Sequence, residues 1–302
     1  MLVRFGAEEI GAEWPGCVVS IGTFDGVHLG HQEVIRRAVV EGREKELPSV
    51  VVTFDRHPMA ILAPERCPPS VGTLDIDLEQ FEKLGVTLAL VLKFDEQLAN
   101  TLASEFQAKI LEEKLRANLV VIGADFAFGK GREGTPDWLK QRMQTKIVPA
   151  FEIDGHRVSS TEIRSAIAEG DVAKARKLLG RPWTQEGVVV AGQRLGRTLG
   201  FPTLNLSPIG TQVRPADGVY AGTAKTDFGD FKAAIGIGMR PTVGPGPRTI
   251  EAFLIDYPGG SLYGAPVRLS YLNRLRDDIK FDTVDQLKAQ MEQDVAAAAI
   301  AE

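Results

Sequence analysis

The sequence predicts two domains of different class, an α/β domain built on a parallel sheet and then a small antiparallel β-barrel. The chain has 302 residues, which is enough for two domains at roughly 150 residues each. In its first half, short apolar runs alternate with helical patterns, as in parallel sheets with crossover helices. In its second half, short strand-like runs follow one another between Gly, Pro and Asp turns, as in antiparallel barrels.

The elements of the first half follow from their apolar patterns. Strands are predicted at 18–21, 50–54, 88–92 and 119–122. The helices between and after them are predicted at 32–46, 78–84 and 103–115. Further on, Ser159 and Glu162 have the spacing of a capping box at a helix start. Asp171 and Gly180 are suited to begin and end a shorter helix.

The segment 181–183, Arg-Pro-Trp, is predicted to be a linker, which places the domains at residues 1–182 and 183–302. Strands of the second domain are predicted at 188–190, 218–223, 232–237, 250–255 and 267–272. A terminal helix is predicted to start at 282–283, because Val284, Leu287, Met291 and Val295 form one apolar stripe.

Composition excludes several classes of function. The net charge of −5 argues against a nonspecific nucleic-acid binder, which needs a positive surface. Cys17 and Cys67 are the only cysteines, too few for a disulfide framework or a four-cysteine zinc site. The N-terminus lacks the apolar core of a signal peptide, and no apolar run approaches the ~20 residues of a membrane span. We therefore expect a cytoplasmic protein without nucleic-acid or membrane partners.

The segment 19–31, VSIGTFDGVHLGH, reads as a strand end, a glycine-bearing turn and a helix start. Backbone N–H groups at a helix start favour phosphate. His28 and His31 are three residues apart and can share one face. Two imidazole donors there suit the charge that develops on a transferring phosphoryl group. The alternative is two ordinary polar residues on a turn.

Two further segments have the composition of phosphate sites. Hydroxyl groups and free amides at the helix start near Ser159, with Arg164 one turn further on, can form an anion site, or simply cap the helix. In the second domain, Thr203 and Asn205 alternate on an extended run, so their oxygens face one way. Such oxygens suit Mg²⁺ bound together with substrate phosphates; the alternative is a glycine-rich hairpin.

These motifs carry a family resemblance. The run GTFDGVHLGH at 22–31 resembles the His-containing element of the adenylyl/cytidylyltransferase superfamily. Other segments of the sequence are similar to those of the bacterial bifunctional riboflavin kinase/FAD synthetase family. They are VVTFDRHP at 51–58, GADFAFG at 123–129, VSSTEIR at 158–164 and GRTLGFPTLN at 196–205. The resemblance implies a nucleotidyltransferase domain with a Rossmann-like parallel sheet, followed by a kinase barrel.

The resemblance also implies the chemistry. Riboflavin would be phosphorylated by ATP to FMN, and FMN would then be adenylylated by a second ATP to FAD with release of pyrophosphate. Both steps would use Mg²⁺ and small-molecule substrates, in a monomer or transient homo-oligomer.

The resemblance assigns residues to four groups. The catalytic group is His28, His31, Arg164 and Glu251, with Glu251 as the base for the riboflavin hydroxyl. The ATP- and phosphate-binding group is Gly22, Thr23, Phe24, Gly30, Ser159, Ser160, Thr161, Gly196, Arg197, Thr198, Gly200 and Pro202. The flavin-binding group is Phe54, His57, Pro58, Asp125, Phe128 and Arg276. The metal ligands are Thr203 and Asn205. One departure is Gly236, which stands where the family usually has Asn.

Two other functions compete with this interpretation. The first is a nucleotidyltransferase for another phosphate monoester with a decayed barrel, against which the intact Thr203, Asn205 and Glu251 argue. The second is a flavin-binding regulatory or RNA-binding module that has lost its chemistry. Lost histidines or a basic stripe would mark such a module, and the sequence has neither.

Overall fold

The computed structural model of the chain describes residues 1–192, 200–239 and 248–302. The chain forms two compact units, Met1–Ser160 and Thr161–Glu302. Within the described ranges, no helix is both long and apolar enough to cross a membrane.

The first unit is built on a sheet of six parallel strands in the order β1-β4-β3-β2-β5-β6. The strands are β1 (Leu2–Phe5), β2 (Cys17–Ile21), β3 (Ser49–Phe54), β4 (Leu88–Leu92), β5 (Ala117–Gly123) and β6 (Thr145–Val148). A short antiparallel hairpin follows, formed by β7 (Glu152–Ile153) and β8 (His156–Arg157).

Helices connect these strands. They are α1 (Leu29–Glu44), α2 (Met59–Leu62), α3 (Leu74–Lys83), α4 (Glu96–Ala99), α5 (Ala103–Phe106) and α6 (Pro136–Lys140). The last turn of α5 continues as a π-helical segment, Gln107–Lys114. Every residue of β2 and β4 is buried, as expected for parallel strands covered on both faces.

The strand order positions a site. From β2 the chain adds β3 and β4 on one side and β5 and β6 on the other, so the order reverses between β2 and β5. In open α/β sheets, ligands bind outside the carboxyl ends of the strands at such a reversal. The loops after β2 and β5 carry the histidine segment and the segment that includes Asp125.

The second unit is a closed barrel of six antiparallel strands in the order β10-β13-β12-β11-β14-β9. Helices α7 (Ser160–Ala168) and α8 (Val172–Leu179) precede β9 (Trp183–Val190), β10 (Thr203–Pro208), β11 (Gly218–Thr226), β12 (Gly229–Gly238), β13 (Thr249–Leu254), β14 (Pro266–Arg276) and α9 (Val284–Ile300). Helix α9 packs on the barrel through the buried alanines Ala221, Ala234 and Ala298.

The predicted fold class is confirmed, and several element boundaries differ. Helix α8 has the predicted ends, with Asp171 accepting from the Lys174 N–H at 2.9 Å and Gly180 at φ 71°. Trp183, predicted to lie in a linker, is instead the first residue of β9. Its side chain is only 2% exposed and its ring lies 5.0 Å from that of Tyr271. Burial of a large aromatic ring outweighs the turn tendency of the preceding Arg-Pro pair.

Candidate active sites

The loop from Gly22 to His28, between β2 and α1, has a strained backbone. Phe24 and Val27 have φ angles of 50° and 40°, a left-handed conformation that costs a non-glycine residue about 1–3 kcal/mol. Both side chains are nevertheless buried, with 4% and 0% exposed. Such strain persists only where the surroundings enforce it, and it is concentrated at functional sites.

Hydrogen bonds from two other segments hold this loop in its strained conformation. Asp25 Oδ1 accepts from the backbone N–H groups of Val71 and Gly72, at 2.8 and 3.3 Å. The Ser160 hydroxyl donates to the Asp25 carbonyl oxygen at 2.9 Å. The structure therefore joins the histidine loop to Ser160, which the sequence singled out separately.

The two histidines form a stacked pair at the start of α1. Their ring centroids are 3.6 Å apart and the rings are inclined by 21°. His28 caps the helix, its Nδ1 accepting from the His31 backbone N–H at 3.3 Å. Because Nδ1 accepts, Nε2 is the nitrogen that carries the proton of neutral His28. Gly30 permits this arrangement, since a Cβ there would lie 3.1 Å from His28 Cε1.

His31 is held without a hydrogen bond to its buried ring nitrogen. Among the residues that the structure describes, Nδ1 of His31 is buried and has no hydrogen-bond partner. Burial, and then the neighbouring His28, lower the pKa of His31 well below its usual value, so its ring is neutral near pH 7. The stacked pair can donate N–H groups to a phosphate, and burial disfavours a positive charge on the His31 ring.

The other predicted phosphate-binding residues lie around this pair and along α7. The Gly22 N–H donates to the Val52 carbonyl at 3.1 Å, and the Thr23 carbonyl accepts from the Thr53 hydroxyl at 3.2 Å. Helix α7 starts at Ser160, directly after Ser159, as predicted. Further along α7, Thr161 is exposed and Arg164, four residues after Ser160, is half-buried.

Three of the predicted flavin-binding residues lie at the carboxyl end of β3 or directly after it. Phe54 is half-buried, and its ring meets that of Phe94 edge-on at 5.3 Å. His57 Nδ1 accepts from the Met59 N–H at 3.1 Å, and Pro58 precedes α2. Since β3 is next to β2 in the sheet, these residues lie at the same sheet edge as the histidine loop.

Two more follow the carboxyl end of β5. Asp125 has an exposed side chain that forms an ion pair with Arg157 of β8. Phe128 belongs to an aromatic group, with ring distances of 5.4 Å to Phe106, 5.6 Å to Phe126 and 5.9 Å to Trp138. The histidine loop and both sets of flavin-binding candidates therefore follow three adjacent strands, β3, β2 and β5.

In the barrel, Glu251 lies at the centre of a row across three strands. Asn205 of β10 and Gly236 of β12 are its direct neighbours in the ladders, so all three positions share one face. Thr203, the diagonal neighbour, donates its hydroxyl proton to Glu251 Oε2 at 2.9 Å. The register thus places three hard oxygen donor groups together, which suits Mg²⁺ held jointly with substrate phosphates.

The structure describes some, but not all, of the other site residues predicted for the barrel. Gly200, at φ 89°, and Pro202 are both exposed. Gly196, Arg197 and Thr198 lie outside the described residues. Arg276, predicted to bind flavin, forms a double ion pair with Asp294 of α9, with nitrogen–oxygen distances of 2.9 and 2.7 Å.

Sequence reasoning missed the acidic partners in both units. Asp77, on α3, accepts from the Gly26 N–H at 3.4 Å and so supports the histidine loop. Asp294 is only 6% exposed and holds Arg276. One signal was available, because Asp294 lies three residues after Met291, on the side of α9 that carries its apolar stripe. An acid in that position indicates a buried basic partner.

Fold and side chains together define the class: an α/β nucleotidyltransferase-like domain, with paired histidines after a central strand, followed by a barrel that carries a Thr-Asn-Glu group. The family models agree. One described as FAD synthetase matches residues 10–162, and one described as riboflavin kinase matches residues 179–301.

Among curated proteins, the bifunctional riboflavin kinase/FMN adenylyltransferase of Pseudomonas fluorescens is 37% identical over 303 aligned residues, covering 98% of this chain and 96% of the relative. The protein of the same name from Haemophilus influenzae is 36% identical, covering 94% and 93%. The chain belongs to the bifunctional riboflavin kinase/FMN adenylyltransferase family.

A solved structure shares the fold of the whole chain. It is a crystal structure described as a macrolide-efflux protein from Streptococcus pneumoniae, 33% identical, with a TM-score of 0.88 and 99% coverage of both chains. The name of that protein refers to macrolide efflux, whereas the curated relatives are named as flavin-modifying enzymes.

Proposed function

We propose that this chain makes FAD from riboflavin in two ATP-dependent steps. The barrel transfers the γ-phosphoryl group of one ATP to the 5′-hydroxyl of riboflavin, giving FMN and ADP. The first unit then transfers AMP from a second ATP to the FMN phosphate, giving FAD and pyrophosphate. The observation that carries the proposal is that one chain retains both groups of residues, the histidine pair and the Thr-Asn-Glu group.

In the kinase step, Glu251 is the proposed general base. It accepts the proton of the riboflavin hydroxyl as the oxygen attacks the γ-phosphorus and ADP leaves. The hydrogen bond from Thr203 holds the carboxylate in one orientation. Thr203 and Asn205 would hold Mg²⁺, which when bound neutralises phosphate charge. Both are neutral donors, so the remaining ligands would come from ATP.

In the adenylyl step, the histidines are proposed to stabilise charge rather than abstract protons. The attacking group is the FMN phosphate, which is already ionised at pH 7, so no base is required. Its oxygen bonds to the α-phosphorus of ATP while the bond to pyrophosphate breaks. His28 and His31 can donate hydrogen bonds to the phosphates as charge moves onto pyrophosphate. Arg164, with hydroxyl groups at the start of α7, would supply the positive charge.

The finer assignments complete the proposal. The predicted side chains at the carboxyl ends of β3 and β5 would contact flavin. Arg276 would contact flavin while its guanidinium group remains paired with Asp294. We keep the domain boundary after residue 182, a monomer or transient homo-oligomer, and a location in the cytoplasm. No nucleic-acid partner is proposed, because the net charge is −5 and recognition of anionic substrates would come from local donors.

The experiment is a product-resolved assay. The purified chain is incubated with riboflavin, ATP and Mg²⁺, and FMN and FAD are separated over time. We expect FMN first and then FAD, and FAD with one equivalent of pyrophosphate when FMN is supplied. FAD from FMN, but no product from riboflavin, would indicate a decayed barrel. Flavin binding without any product would indicate a binding module and refute the proposal.

A further inference from the structure

Phe24 is tightly constrained within the histidine loop. Its φ is 50°, and its ring lies over Gly22, where an added Cβ would come within 2.9 Å of the ring's Cζ. The next residue, Asp25, is anchored by the Val71 and Gly72 N–H groups. The position of the ring is therefore set by the backbone on one side and by a glycine that leaves room for it on the other.

The ring of Phe24 connects the core to His31. It meets Phe81 edge-on, with centroids 5.8 Å apart and planes at 80°, and Phe81 is fully buried. It meets the imidazole of His31 in the same way, at 5.3 Å and 89°. Edge-to-face contacts are favourable because the positive edge of one ring meets the negative face of the other.

His31 has little else to hold its ring. A functional histidine is usually oriented by a hydrogen bond to its second nitrogen. Within the described part of the chain, Nδ1 of His31 is buried without such a bond. The ring contacts that the structure gives His31 are the stack on His28 and the edge contact with Phe24.

We propose that Phe24 is a positioning residue of the adenylyl-transfer step, whose ring takes the place of a hydrogen bond in fixing the orientation of His31. This differs from the direct contact with ATP that the family resemblance implies for Phe24, and it rests on the proposed function of this site. The strained backbone at Phe24 contributes to this positioning, because it turns the apolar ring back over Gly22 and against the imidazole of His31.

The test measures FAD formation from supplied FMN in Phe24→Leu, with Phe24→Tyr as the conservative variant. Phe81→Leu is the matched control, since Phe81 touches Phe24. We expect Phe24→Leu to lower kcat by about 10- to 100-fold, as for slight misplacement of a catalytic group, with KM for FMN little changed. Phe24→Tyr restores most of the rate, and Phe81→Leu loses thermal stability but keeps its kcat. The nuclear Overhauser contacts between the His28 and His31 rings, which report the orientation of His31, weaken in Phe24→Leu but not in Phe81→Leu.

A second variant tests the proposal if Phe24→Leu does not fold. Phe24→Gly removes the ring but relieves the left-handed backbone, and it is expected to lose kcat as Phe24→Leu does. Far-UV circular dichroism and the thermal unfolding of each sample report whether the first unit is folded, and FMN formation from riboflavin, carried out by the barrel, reports the concentration of chain. Wild-type kcat in a folded Phe24→Leu or Phe24→Gly, or equal losses in Phe24→Leu and Phe81→Leu, would overturn the inference. Absence of FAD formation in the wild type would instead refute the proposed function.

Discussion

Replacing Glu251 by Gln tests the proposed base of the kinase step. The amide of Gln has the same size as the carboxylate and keeps an oxygen that can accept a hydrogen bond from the Thr203 hydroxyl. In the wild type the Thr203 hydroxyl lies 2.9 Å from Glu251 Oε2. The amide cannot take a proton from riboflavin. A positioned general base contributes roughly 10²- to 10⁴-fold to the rate, which at 1.4 kcal/mol per factor of ten is about 3–6 kcal/mol. We expect kcat for FMN formation to fall by this amount.

The assay follows FMN from riboflavin and, separately, FAD from supplied FMN. In Glu251→Gln the second rate should stay at the wild-type value, because the histidine pair belongs to the other unit. Thr203→Val removes the donor to the carboxylate, a bond worth about 1.5–3 kcal/mol, and also a proposed Mg²⁺ ligand, so FMN formation should fall by roughly 10- to 150-fold or more. Asp230→Asn, an exposed carboxylate on β12, should change neither rate. Full FMN formation by a folded Glu251→Gln chain would refute the role of Glu251.

Three further predictions concern stability and reactivity. A fragment of residues 161–302 should form FMN and melt in one transition, and Trp183→Ala in that fragment should lower its free energy of unfolding by about 3–5 kcal/mol; an unchanged stability would contradict the burial of Trp183. Asp294→Ala leaves the half-buried Arg276 without its carboxylate partner and should lower the free energy of unfolding by about 3 kcal/mol. An unchanged urea midpoint would contradict a stabilising role for this ion pair. Burial raises the pKa of Cys17 to about 12, so iodoacetamide at pH 8 should alkylate only the other cysteine until the chain is unfolded; early alkylation of Cys17 would be the opposite result.

The fold was predictable where local pattern and burial agree. Strands β2 and β4 are wholly buried apolar runs, and a run of that length has few alternatives to a covered parallel strand. Strand β1 was missed because it lies at the sheet edge and is half-exposed, with Arg4 among its four residues. Its strand conformation depends on pairing with β4, far along the chain, which no local pattern encodes.

The residues of the candidate sites could be chosen from sequence, but their connections could not. Thr203 meets Glu251 across 48 positions, and Ser160 meets the Asp25 carbonyl across 135. Both contacts depend on strand register and loop placement, which are tertiary properties. The role inferred for Phe24 has the same origin, because a motif match gives the residue but not the direction of its ring.

The central claim is that two separate sites in one chain perform successive reactions. The most direct measurement is the yield of FMN and FAD from riboflavin in His28→Ala, relative to wild type. Loss of the imidazole that caps α1 and stacks on His31 should abolish FAD and leave FMN to accumulate at the wild-type rate. Equal loss of FMN and FAD in a folded His28→Ala chain would contradict the two-site account.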